Sequence, residues 1–147
     1  MKVPRGVRNN NPGNLRRGAK WQGLSSHQAD VDFCVFDEPK WGIRALMKVL
    51  QSYSHLYHLD TVREIISRWA PPNENDTLSY IKSVALWVKV NPDSPLDLND
   101  KNTLIRLAQA ITKHENGQPP EEMPDAWFTD QMYSDAADLV LNKGETK

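Results

Sequence analysis

The sequence predicts a mainly α fold with a small β element. Four segments repeat apolar residues at helical spacing, proline or glycine stops follow three of them, and one short apolar run stands outside the pattern. Residues 3 to 30 come first, rich in Gly, Asn, Arg and Ser, with the turn signal Asn9-Asn10-Asn11-Pro12-Gly13-Asn14; they read as a shaped, basic loop region. The run Phe33 to Phe36 reads as a buried strand, with Cys34 as an inert packed thiol.

Asp37 is the expected cap of the first long helix, with Pro39 in its first turn and Ile43, Leu46, Leu50, Tyr53 and Tyr57 as its apolar stripe. Thr61 caps a second helix that carries Val62, Ile65, Ile66 and Trp69, and Pro71-Pro72 stops it. A third helix starts at Asp76 or Thr77, groups Tyr80, Ile81, Val84, Ala85 and Val88, and ends before the Asn91 to Pro95 break. The fourth runs from about Asn99, with Leu104, Leu107, Ala108 and Ile111 on one face, to the stop at Gly117, Pro119 and Pro120. A fifth, from about Thr129 to Leu141, closes the chain.

With 147 residues, 39% hydrophobic, 25% charged and a net charge of -1, residues 1 to 147 are expected to form one domain whose core needs neither disulfide nor structural metal. No run is long enough to span a membrane, so no membrane insertion is expected. Met1 to Arg8 lack the apolar stretch of a secretory signal, which predicts synthesis in the cytoplasm and another route outward. Lys2, Arg5, Arg8, Arg16, Arg17 and Lys20 all precede the first acid, Asp30. That cationic patch suits an anionic cell envelope. Nucleic acid would also meet it, but no aromatic RNA-binding motif or DNA-reading helix accompanies it, so no specific nucleic-acid partner is expected.

Glu115 is the leading candidate for chemistry. It lies four residues after Ile111, so it continues the buried stripe to the end of its helix. A carboxyl there loses hydration and faces the negative end of the helix dipole, two influences that suit a side chain to general-acid work. The alternative is an exposed residue at a fraying helix end. Glu74, in the loop before the third helix, is the second carboxylate that glycoside hydrolysis would require, or else a solvated residue beside a cap. Glu38, at a helix N-terminus, is stabilised as an anion and makes a poor acid.

Sugar rings pack their C–H faces on aromatic side chains, so Trp21, Trp69, Tyr80, Trp87 and Trp127 are candidate subsite walls, with core packing as the alternative. A buried Tyr80 needs a hydrogen-bond partner, which an active-site carboxyl would supply. Asn11 and Asn14 either bind acetamido groups or shape their turn. His55 and His58 lack a third ligand at zinc spacing, and neither a phosphate loop nor a nucleophile elbow is present. No metal or cofactor is expected.

Several segments together resemble a phage and prophage group labelled virion protein P5-like, related to lytic enzymes of the lysozyme superfamily. They are Arg5 to Asn14, Trp21-Gln22-Gly23-Leu24, Phe36 to Leu46, Trp69 to Thr77 and His114-Glu115-Asn116-Gly117. Ala110 to Gly117 also resembles the lytic-transglycosylase helix that ends in Glu-Ser-Gly and bears the catalytic acid. The Thr77, Tyr80 and Val84 spacing is similar to a later element of that family, whose tyrosine lies by the acid. Here the tyrosine element precedes the acid helix, so the resemblance implies a circular permutation.

The resemblance implies a lysozyme-like domain, monomeric, that cleaves peptidoglycan glycan strands and acts on the cell wall after release or within a virion beside other virion proteins. In that reading Glu115 is the acid, Glu74 the second carboxylate, and Tyr80, Asn11, Asn14, Trp21 and Trp69 hold substrate. The rival reading is a non-catalytic virion structural or glycan-binding module that keeps the fold without the chemistry. A third is nucleic-acid binding by the Arg-rich arm, with affinity that falls steeply with salt.

Overall fold

Four of the described helices start where a short polar side chain accepts a hydrogen bond from the first turn. Thr61 accepts from the Glu64 amide at 3.1 Å, Asp76 from Ser79 at 3.2 Å, Asp100 from Thr103 at 3.0 Å, and Thr129 from Met132 at 3.2 Å. The computed structural model describes residues 3–72, 76–120 and 126–141. Its helices are α1 (Arg5–Arg8), α2 (Pro39–Tyr57), α3 (Val62–Trp69), α4 (Thr77–Val88), α5 (Lys101–Asn116) and α6 (Asp130–Leu141). The protein is mainly helical.

Three boundaries differ from expectation. Residues 3 to 30 hold the single turn α1, which the density of Asn, Gly and Pro around it conceals in the sequence. The first residue of α2 is Pro39, with Glu38 rather than Asp37 at the cap position and no side-chain cap bond; proline's fixed φ starts this helix unaided. α5, expected from about Asn99, opens at Lys101 with Asp100 as its cap.

The predicted strand Phe33 to Phe36 is instead a pair of isolated antiparallel bridges, Arg16 to Phe33 and Leu24 to Phe36. Side-chain amides take the peptide groups a ladder would use. Gln28 accepts from the Val35 N–H at 2.9 Å and donates to the Val35 carbonyl at 2.8 Å, while Asn11 donates to the Cys34 carbonyl at 2.9 Å. Cys34 is buried, as expected, and burial raises its thiol pKa.

The main core joins Leu46 and Leu50 of α2, Ile65 and Ile66 of α3, Tyr80 and Val84 of α4, Leu104, Leu107 and Ile111 of α5, and Ala136 and Ala137 of α6. Burying each such leucine or isoleucine contributes about 1.5–3 kcal/mol. α2 packs along α6, α4 along α5, and α3 along α4. A smaller core of Cys34, Phe36 and Ala45, with Trp21, Leu24 and Trp41 packed on it, ties the N-terminal segment to the start of α2. The contact is close because Gly42 has no side chain: a β-carbon there would coincide with the Asn10 carbonyl. The N-terminal loop is thereby held against the first turn of α2.

Candidate active site

Leu107 and Ile111 are fully buried on the inner face of α5, and Glu115 follows on the same face one turn later. The helix ends at once, with Gly117 as its C-cap at φ 75°. Glu115 thus emerges half-buried from the core into a groove of about 380 Å³. Each carboxylate oxygen accepts one hydrogen bond. The Asn14 amide donates to Oε1 at 3.2 Å and the Tyr80 hydroxyl donates to Oε2 at 3.0 Å.

Tyr80 is only 1% exposed, and its hydroxyl in turn accepts from the Trp69 indole N–H at 3.0 Å. Burial, and then the adjacent Glu115 carboxylate, hold the phenol well above its usual pKa, so it remains a protonated donor at neutral pH. His114 stacks on its ring, with centroids 3.6 Å apart and planes 17° apart. The chain Trp69 to Tyr80 to Glu115 therefore fixes the carboxyl from the α3–α4 side.

Asn14 arrives from the opposite side on the N-terminal loop. Asn10 and Asn14 both adopt positive φ, at 54° and 51°, a conformation asparagine tolerates better than most residues. Asn11 is fully buried and braces the turn, donating to the Leu15 and Cys34 carbonyls and accepting from the Leu15 N–H. Asn116, also buried, donates to the Pro12 carbonyl at 3.0 Å and clips the loop to the end of α5. Gly6 completes the joint. Its β-carbon, were there one, would lie 2.6 Å from Asn116 Oδ1 and 2.9 Å from both Asn14 Oδ1 and the Asn11 carbonyl. Those two side-chain oxygens are buried without a hydrogen-bond partner among the described residues, so the joint is tightly packed and incompletely compensated.

The groove is walled by Asn14, Arg16, Phe33, Tyr53 and Trp69 around Glu115. The guanidinium groups of Arg5 and Arg16 lie 4.5 and 5.1 Å from the Phe33 ring centre. Over 122 residues the chain is 41% identical to Protein P5 of Pseudoalteromonas phage PM2, an overlap that covers 79% of this chain and 73% of that protein. The chain belongs to the phage protein P5 family. No family model matches it.

Within this P5-family chain, the expected site residues separate into three groups. Glu115, Tyr80, Asn14 and Trp69 converge on one point. Asn11 lies beneath them as a loop brace, with no exposed surface, and Trp21 packs on the smaller core, away from the groove walls. Glu74 lies outside the described residues. Arg16, Phe33 and Tyr53 belong to the groove without having been singled out for it. Tyr53 carried only a weak signal, an amphipathic aromatic within the apolar stripe of α2, which suits a place with one apolar and one wet side. The cationic patch is partly neutralised: Arg5 binds Asp30 through two nitrogens at 2.6 Å and also reaches Asp32.

Proposed function

We propose that the chain cleaves the glycan strands of bacterial peptidoglycan, as a lytic transglycosylase or muramidase of phage or prophage origin with a lysozyme-like domain. The observation that carries this reading is the Glu115 carboxyl, at the mouth of an aromatic-walled groove, gripped by Tyr80 on one oxygen and Asn14 on the other. The tyrosine and the acid come from two segments with a transglycosylase likeness, and they meet despite their exchanged order. Membership in a phage family supports the origin.

In this mechanism the protonated form of Glu115 gives its proton to the bridging glycosidic oxygen as the C1–O bond breaks, and the Asn14 and Tyr80 donors stabilise the carboxylate it leaves. The sugar's own C6 hydroxyl then attacks C1 and returns its proton to Glu115, which closes a 1,6-anhydro ring without water. Tyr80 and Asn14 hold the carboxyl in line throughout, and Trp69 with Tyr53 offers surfaces for sugar rings. Among the described groove residues Glu115 is the sole carboxylate, which favours transglycosylation; Glu74 is the residue that would serve hydrolysis.

Digestion of purified peptidoglycan sacculi, with products separated by mass, tests the reading. Anhydro-muropeptides are the expected products, and reducing-end sugars would assign a muramidase instead. A folded protein that binds sacculi and releases nothing would refute cleavage in favour of the non-catalytic virion or glycan-binding module.

A further inference from the structure

The last two turns of α5 also line a second depression, of about 220 Å³, where Gln109 and Lys113 face Trp87 of α4 and Trp127 and Asp130 near the start of α6. Trp87 is 41% exposed. Its indole N–H donates to Gln109 Oε1 at 3.2 Å, and that of Trp127 donates to the Gly117 carbonyl at 2.8 Å. With both N–H groups engaged, the indoles offer only ring surface, one face of Trp87 being shared with the Lys113 ammonium, while the Gln109 amide nitrogen and the Asp130 carboxylate offer one donor and one acceptor group beside it. Lys113 holds its ammonium 4.8 Å from the Trp87 ring centre and forms no ion pair among the described residues. A neighbouring hollow shares Trp87 and Lys113 and extends to His114, next to the catalytic candidate.

We propose that this Trp87 depression is a second glycan-binding site, separate from the Glu115 groove, that takes a sugar ring of an acidic amino-sugar strand. Aromatic surface matches the C–H face of a pyranose, Gln109 and Asp130 match its hydroxyls, and Lys113, which has no ion pair among the described residues, matches a carboxylate substituent. A nucleic-acid strand, with a phosphate on every nucleotide, would bring more negative charge beside Asp130 than a glycan most of whose polar groups are hydroxyls. The choice of glycan rests on the function proposed above; the site itself does not need Glu115 to be catalytic.

The test is an NMR titration of the Glu115→Gln protein with peptide-free peptidoglycan glycan strands, so that binding is read without turnover. The Trp87 indole N–H signal is expected to shift. Trp87→Ala should weaken binding about tenfold, as loss of one aromatic anchor does, and Trp87→Phe should recover most of it. Lys113→Gln should weaken these acidic strands but not neutral chitin oligomers. Trp87→Ala binding as tightly as its parent, or shifts confined to Asn14, Tyr53 and Trp69, would overturn the proposal. Trp87-dependent binding by a wild type that cleaves nothing would keep this site and refute only the cleavage reading.

Discussion

Tyr80→Phe removes a single oxygen that performs two tasks, accepting from Trp69 and donating to Glu115, each across 3.0 Å. A hydrogen bond to a charged group is worth about 1.5–3 kcal/mol, and an indole N–H left unpaired in a half-buried place costs about 1–3 kcal/mol. Solvent at the groove mouth reduces both, so the expected loss is about 2–4 kcal/mol. For a chain of this size that lowers the melting temperature by on the order of 5–15 °C. Scanning calorimetry of the two proteins reads the shift directly. The same substitution frees one oxygen of Glu115, so turnover of sacculi should fall with it, while the ring and its stack with His114 survive. A melting temperature within about 1 °C of wild type would refute the hydrogen-bond chain as the support of the carboxyl.

Gly6→Ala should destabilise by about 1–3 kcal/mol, the usual range for overpacking, because its methyl meets three oxygens at 2.6–2.9 Å; chemical denaturation measures it, and the Asn14 side-chain amide signal should move as well. Burial pushes the Tyr133 phenol up to about 12. A raised folded-state pKa gives stability that is complete below the unfolded value near 10 and is lost between there and about 12, so Tyr133→Phe should flatten the alkaline decline by about 2–3 kcal/mol in pH-dependent denaturation. Arg5 holds the Asp30 carboxyl well below the usual carboxylate range. Its contribution is present above the unfolded value near 4 and is lost as the pH falls further below it, so Asp30→Asn should remove part of the acid sensitivity of the N-terminal amide signals.

Helix positions were legible because their signals are local. Thr61, Asp76 and Gly117 act within one turn of chain, and the apolar stripes of α2 to α5 need only periodicity. Glu115 was legible for the same reason, since its place four residues after Ile111 follows from helix geometry alone. The strand at Phe33 to Phe36 was not, because whether a peptide group pairs with a strand or with Gln28 and Asn11 is decided by distant residues. The groove walls were also hidden. Arg16, Phe33 and Tyr53 come together only once Gly6, Gly42 and Asn116 allow the N-terminal loop to dock, and nothing in a linear reading of those glycines tells which helix each will meet. Asn11 was chemically ambiguous in the sequence and is resolved by burial, while Asn14, three residues on, reaches the carboxyl.

The central claim is that Glu115 carries the proton in glycan cleavage. Its most direct test is the rate at which wild type and Glu115→Gln release soluble products from purified sacculi, with matching circular dichroism melts to establish folding. Loss of a general acid predicts a fall of about 100- to 10,000-fold with the fold intact. Equal rates, or a loss of that size in Glu74→Gln and not in Glu115→Gln, would contradict the assignment.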